Sequence, residues 1–165
     1  MTAANSTFEE LLAQHGAILT KVTSAYCRDR HDREDLAQEI VLQLWRSFGR
    51  YDSRLRFSTW MYRVAMNVAI SHYRARKAAG GEAMPLDETT GIAVAHDAAE
   101  RDDTRVLYDL IRELDELNRA VIVLYLDGHS HLEISAIVGL SATNVATKVN
   151  RIKEQLKTRY EEKNK

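Results

Sequence analysis

The sequence predicts an all-α protein: two small helical domains joined by a flexible acidic linker, the second containing a helix-turn-helix. Three observations carry this reading. Breakers are sparse, with one Pro (Pro85) in 165 residues and apolar positions that recur at helical rather than strand spacing. The near-neutral total of -1 conceals net +4 over 1–77, -6 over 78–104 and +1 over 105–165, which marks a basic block, an acidic spacer and a mixed second block. Between Ser130 and Ser141 the chain reads as a capped helix, a Gly turn and a second capped helix.

In the first block, Phe8, Leu11, Leu12, Ile18, Leu19, Val22 and Tyr26 predict one amphipathic helix. Asp32 is expected to cap a second, in which Leu36, Ile40, Leu44 and Phe48 recur every four residues. Trp45 and Val41 are expected to widen that buried stripe, and Gly49 to stop the helix. After the basic stretch RYDSRLRF, Ser58 is expected to cap a third helix, FSTWMYRVAMNVAISHYRARK, with Trp60, Met61, Val64, Ala65, Val68 and Ala69 facing inward.

Residues 78–104 hold Gly80, Gly81, Pro85 and Gly91 and no apolar periodicity, too little to offset ordering entropy, which predicts a linker. In 105–165, RVLYDLIREL and the very apolar NRAVIVLYLDG predict two helices. In SHLE, Ser130 caps the next helix and Glu133 stands where a capping box requires it. Gly139 ends that helix, Ser141 caps the last, and Val145, Val149, Ile152 and Leu156 form its inward stripe.

Several function classes fall away. One cysteine, Cys27, excludes a disulfide framework and a multi-Cys zinc site and fits a reducing, cytoplasmic setting. No signal peptide or membrane insertion is expected, because no apolar run approaches ~20 residues. His129, His131 and Glu133 are not expected to form a metal site, because His-x-His spacing suits a strand better than a helix start and no further ligands cluster nearby. No nucleophile triad or phosphate-binding loop is present, so neither catalysis nor a cofactor is expected.

What remains is nucleic-acid chemistry. In a helix-turn-helix the second helix enters the major groove. The inward stripe of the last helix leaves Thr143, Asn144, Thr147, Lys148 and Arg151 on its other face, behind Ser141. Asn suits adenine, and Lys or Arg suits guanine or phosphate. Residues 46–77 differ: eight Lys or Arg stand against one acid, Asp52, with Tyr51, Phe57, Trp60, Tyr62 and Tyr73 interleaved. Aromatic faces beside cations hold unpaired strands by base stacking. Trp60 is expected in the core, and Tyr51 and Phe57 in or beside the basic loop.

Taken together, DREDLAQEIVLQLW at 32–45, FSTWMYRVAMNVAISHYRARK at 57–77 and LDGHSHLEISAIVGLSATNVATKVNRIKEQL at 126–156 resemble a bacterial sigma factor of the extracytoplasmic-function class. The resemblance implies a region-two domain (1–77), a linker (78–104) and a region-four domain (105–165). It implies that Asp35, Gln38, Glu39, Gln43 and Arg46 dock on core RNA polymerase. Arg50, Tyr51, Arg54, Arg56, Phe57, Arg63, Asn67, His72 and Arg74 would hold the opened minus-ten strand of promoter DNA. Ser141, Thr143, Asn144, Thr147, Lys148 and Arg151 would read the upstream duplex. The acidic spacer would thread the polymerase's RNA channel as an electrostatic mimic of nucleic acid. An anti-sigma factor is a further implied partner. The alternatives are a stand-alone helix-turn-helix regulator and a polymerase-binding decoy that starts no transcripts.

Overall fold

The computed structural model describes residues 3–80 and 102–165, and within them every regular element is a helix. The greater part of the expected linker, residues 81–101, lies outside the described residues. The helices are α1 (Ala3–Gln14), α2 (Gly16–Tyr26), α3 (Arg30–Ser47), α4 (Phe57–Ala78), α5 (Asp102–Ile111), α6 (Glu116–Leu126), α7 (His131–Val138) and α8 (Ala142–Lys163). A short 3-10 turn, Phe48–Arg50, follows α3. Helices α2, α3 and α4 pack on one another, as do α6, α7 and α8.

The first expected helix is two helices. The chain breaks at His15, whose backbone leaves the helical region, and Gly16 starts α2. The ring of His15 bonds back to the Leu11 carbonyl at 2.9 Å, which serves the frayed end of α1. Helix α3 starts earlier than expected: Asp29 is its cap, accepting from the Asp32 amide at 3.4 Å, and Asp32 lies in the first turn. An acid in either place favours the helix N-terminus. Ser58 caps nothing; α4 begins at Phe57, behind Arg56, without a side-chain cap. Helix α5 takes in Asp102 and Asp103, whose charges suit its first turn.

The helix-turn-helix forms as read. Ser130 Oγ accepts from the Glu133 amide and Ser141 Oγ from the Asn144 amide, each at 3.1 Å. Gly139 sits at φ +79, a left-handed C-terminal position that L side chains rarely adopt. Val145, Val149 and Ile152 are buried on α8.

One apolar core runs through both helical groups. It includes Leu36, Ile40, Leu44, Met61 and Ala65 from the first, and Val121, Ile122, Leu124 and Ile134 from the second. Helices α2 and α4 supply the first group's side of the seam, and α6 and α7 most of the second's. This changes the expected inward face of α4. Tyr62 and Met66, outside the expected inward set, are buried, and Tyr62 meets the second group through Asp127 and the ring of His129. Trp60, Val64 and Val68 are only partly buried.

Candidate nucleic-acid interface

The loop between α3 and α4 is built on an aromatic cluster. Phe48 stacks on Tyr51 with centroids 6.0 Å apart, and Tyr51 lies 5.1 Å from Trp60 and edge-on to Phe57 at 5.5 Å. The Tyr51 hydroxyl donates to the Leu55 carbonyl at 2.7 Å, which closes the loop on itself. Asp52 turns it: its carboxylate accepts from the Arg54 amide at 3.0 Å and from the Arg54 guanidinium in a forked pair at 3.0 and 2.9 Å. Those hydrogen bonds hold the Asp52 carboxyl below its ordinary range. Arg50, Arg54 and Arg56 are exposed around a half-buried Tyr51.

Phe57 does not stand where a base could stack on it. It is 6% exposed and belongs to the core, its ring 5.1 Å from that of His15. As the first residue of α4 it anchors the loop rather than lining it. Trp60, expected in the core, is instead half-buried at the loop's edge.

The remaining α4 residues lie along one groove with α3, formed by Glu39, Gln43, Arg63, Asn67 and His72 among others. Asn67 is exposed. His72 Nδ1 lies 3.3 Å from Glu39 Oε2, whereas its Nε2 is shielded with no partner among the described residues. Arg63, which lines this groove, and Arg74, which does not, both reach the second helical group. Arg63 donates to the Ala136 carbonyl at 2.7 Å and Arg74 to Glu116 at 3.0 Å.

On α3, Asp35, Gln38, Glu39, Gln43 and Arg46 all face solvent. They share that face with two apolar side chains, Leu42 at 47% and Trp45 at 44% exposure. Together with Phe8, Leu12 and Val41 these line an open apolar groove between α1 and α3. Trp45 therefore widens no buried stripe; its ring meets that of Phe8 in an edge-to-face pair with centroids 5.2 Å apart. Leu42, an apolar residue on an otherwise polar helix face, was the sequence signal for this groove.

On α8, Ser141, Thr143, Asn144, Thr147 and Arg151 are exposed on one side. Lys148 is half-buried and donates to Asn118 Oδ1 at 3.1 Å, tying this face to the start of α6. Cys27 is buried, and burial pushes its thiol up to about 11, so it supplies no nucleophile near neutrality.

This geometry meets a consistent set of known proteins. The Sigma-70 region 2 model matches residues 11–79, and the Sigma-70 region 4 model matches residues 104–156. The RNA polymerase sigma factor CarQ of Myxococcus xanthus is 30% identical over 155 residues, covering 93% of this chain and 89% of CarQ. The ECF RNA polymerase sigma factor SigE of Mycolicibacterium smegmatis is 29% identical over 94% of this chain, which spans 62% of SigE's length. The fold matches that of the sigma factor RpoE, solved in complex with the anti-sigma factor NepR from Bartonella quintana. Its TM-score is 0.72 at 19% identity, covering 91% of this chain and 93% of that one.

Proposed function

Since the chain belongs to the RNA polymerase sigma factors, in the extracytoplasmic-function class, we propose that it binds core RNA polymerase in the cytoplasm, selects promoters and stabilises their opened strands. The observation that carries this reading is the loop between α3 and α4. Exposed Arg50, Arg56 and Arg54, the last paired with Asp52, surround half-buried Tyr51 and Trp60, in a chain that also holds a capped helix-turn-helix. Cations beside aromatic faces suit unpaired bases, and a polar, basic helix face suits a duplex groove.

In this reading Arg50, Arg54 and Arg56 hold backbone phosphates while Tyr51 and Trp60 offer rings to unstacked bases, and Asn67 hydrogen-bonds along the α4 groove. Phe57 positions the loop from beneath. Breaking a duplex step costs ~1.4 kcal/mol, and one base stacked on a ring returns ~1–3 kcal/mol. A few captured bases therefore offset a few broken steps, and the polymerase supplies the rest. The α3 face carries the polymerase contact: the polar residues give orientation, and Leu42 and Trp45 supply apolar area. Asn144, Thr147 and Arg151 read the upstream duplex. An anti-sigma factor, as in the complex containing RpoE, would compete for these surfaces.

The experiment is transcription in vitro with purified core polymerase and a randomised promoter library. Selected start sites are expected with wild type. Replacing Arg54 and Arg56 with Ala should lower permanganate-detected opening about tenfold, the loss of ~1.4 kcal/mol of strand contact, with core binding unchanged. No start-site selection on any template, or an equal loss of opening and core binding, would overturn the reading.

A further inference from the structure

Lys148 stands among the residues expected to read the upstream duplex, yet its ammonium is turned toward its own protein. On α8 it follows Asn144 by four residues and precedes Arg151 by three, so the three share one side of the helix. Asn144 and Arg151 are exposed, whereas Lys148 is half-buried. Its Nζ donates to Asn118 Oδ1 at 3.1 Å.

Asn118 is a held acceptor. It lies in the first turn of α6, behind the cap Asp115. One oxygen of the Asp115 carboxylate accepts from the Asn118 backbone amide at 2.8 Å, and the other from the Asn118 side-chain Nδ2 at 3.2 Å. A carboxylate only accepts and an ammonium only donates, so a single orientation of the amide serves both. That orientation aims Oδ1 at Lys148. The cap of α6 thus carries a directed bond across to the flank of α8. The negative charge at the far end of the same amide also weakens the pull of the ammonium on a phosphate.

A directed bond does what the apolar stripe of α8 cannot. Val145, Val149 and Ile152 settle which side of the helix is buried, but apolar burial is non-directional. Side-chain tips stand ~5–6 Å from a helix axis, so each ~10° of roll moves them by ~1 Å. A shift of that size stretches a hydrogen bond of ~2.9 Å beyond its range. The other ties along α8, from Lys153 to the Tyr125 hydroxyl at 3.5 Å and from Lys163 to Glu113 at 2.8 Å, lie past the reading residues.

We propose that Lys148 is a positioning residue and not a reader: Asp115, acting through Asn118, holds its ammonium and so sets the roll of α8 at which Asn144, Thr147 and Arg151 meet base edges. This rests on the assignment of α8 to the upstream duplex. It separates Lys148 from Arg151, which is exposed on the same side one turn further on.

The test uses core polymerase reconstituted with the full chain and two duplex probes. One is a promoter recovered from the randomised library, the other the same promoter with its upstream element scrambled. The ratio of the two affinities measures reading. Both probes meet the same holoenzyme, so a loss of folded protein leaves the ratio untouched. Lys148→Met keeps the stem without the donors, and Asn118→Leu removes the acceptor. Each should lower the ratio about tenfold, the range of one base-edge contact. The double variant should lose no more than either single, because both break the same tie. Lys148→Arg still donates and should recover most of the ratio. Removing a phosphate contact lowers the slope of log affinity against log salt by about 1. In Lys148→Met and Asn118→Leu that slope should stay at the wild-type value.

A lower salt slope in Lys148→Met, additive losses in the double variant, or an unchanged ratio in Asn118→Leu would overturn the proposal. A wild-type ratio near one would instead overturn the assignment of α8 as the reading helix, whatever the variants do.

Discussion

Replacing Arg119 with Met should cost this protein about 3 kcal/mol of stability, and the figure follows from where the guanidinium ends. Arg119 is 7% exposed. It donates to the carbonyls of Leu114 at 2.8 Å, Arg112 at 2.5 Å and Ala25 at 3.3 Å, so it braces the α5–α6 turn and reaches α2 as well. Its charge sits between the rings of Tyr73 and Tyr26, at 4.7 and 5.7 Å. Methionine replaces the stem but none of the donors. Each stripped carbonyl costs at least ~1 kcal/mol, which sums to ~3 kcal/mol. Relief of the buried charge works against this, because burial already disfavours the protonated guanidinium. Loss of the two ring contacts, ~0.5–2 kcal/mol each, works with it. Urea unfolding followed by circular dichroism reads the result: at ~1–3 kcal/mol per molar, the midpoint should fall by ~1–3 M. Arg119→Lys keeps the charge but not the fork and should fall between the two. A loss below ~0.5 kcal/mol, the range of surface substitutions, would refute the claim that this side chain braces the turn.

Gly139→Ala should destabilise by ~1–2 kcal/mol through its left-handed backbone alone, since nothing lies within 4 Å of the added methyl; thermal denaturation checks this. Burial pushes the Asp127 carboxyl up, but the hydrogen bonds from Lys21 and Tyr62 outweigh it and hold it below its ordinary range. A depressed carboxyl contributes stability above its unfolded pKa near ~4 and loses it as pH falls through the folded value, so Asp127→Asn should flatten the acid limb of the stability curve below about pH 5. Urea midpoints at stepped pH would show that, and an unchanged acid limb would contradict it. Replacing Lys148 and Arg151 with Ala should weaken upstream-element recognition by roughly tenfold and reduce the salt slope of binding; unchanged promoter preference would remove them from that face.

Helix positions were legible wherever the cue was local. Ser130, Gly139 and Ser141 act within one turn of themselves, and each does what its chemistry predicts. The α8 stripe at Val145, Val149 and Ile152 was equally plain, because a single face meets the core. The caps of α3 and α4 were less so. Asp29 and Asp32 are both acceptable at a helix start, and only the backbone decides between them. At Phe57 the chain enters a helix without any side-chain cap because the ring itself is anchored in the core. The inward face of α4 was misread for a different reason. Tyr62 and Met66 look surplus to a three-helix domain yet are buried, and Tyr62 finds its partners far along the chain, at Asp127 and His129. The exposed polar residues of α3 fell where they were expected, yet Trp45 did not, and it lies exposed beside Leu42, since periodicity assigns a large apolar residue to the interior by default.

The one thiol of the chain has a practical corollary. Cys27 follows the last turn of α2, sealed off by its neighbours and held protonated at neutral pH. An alkylating reagent therefore finds no target until the helices come apart. The rate at which mass is added to the intact protein becomes a clock for its opening, read without dye, mutation or promoter.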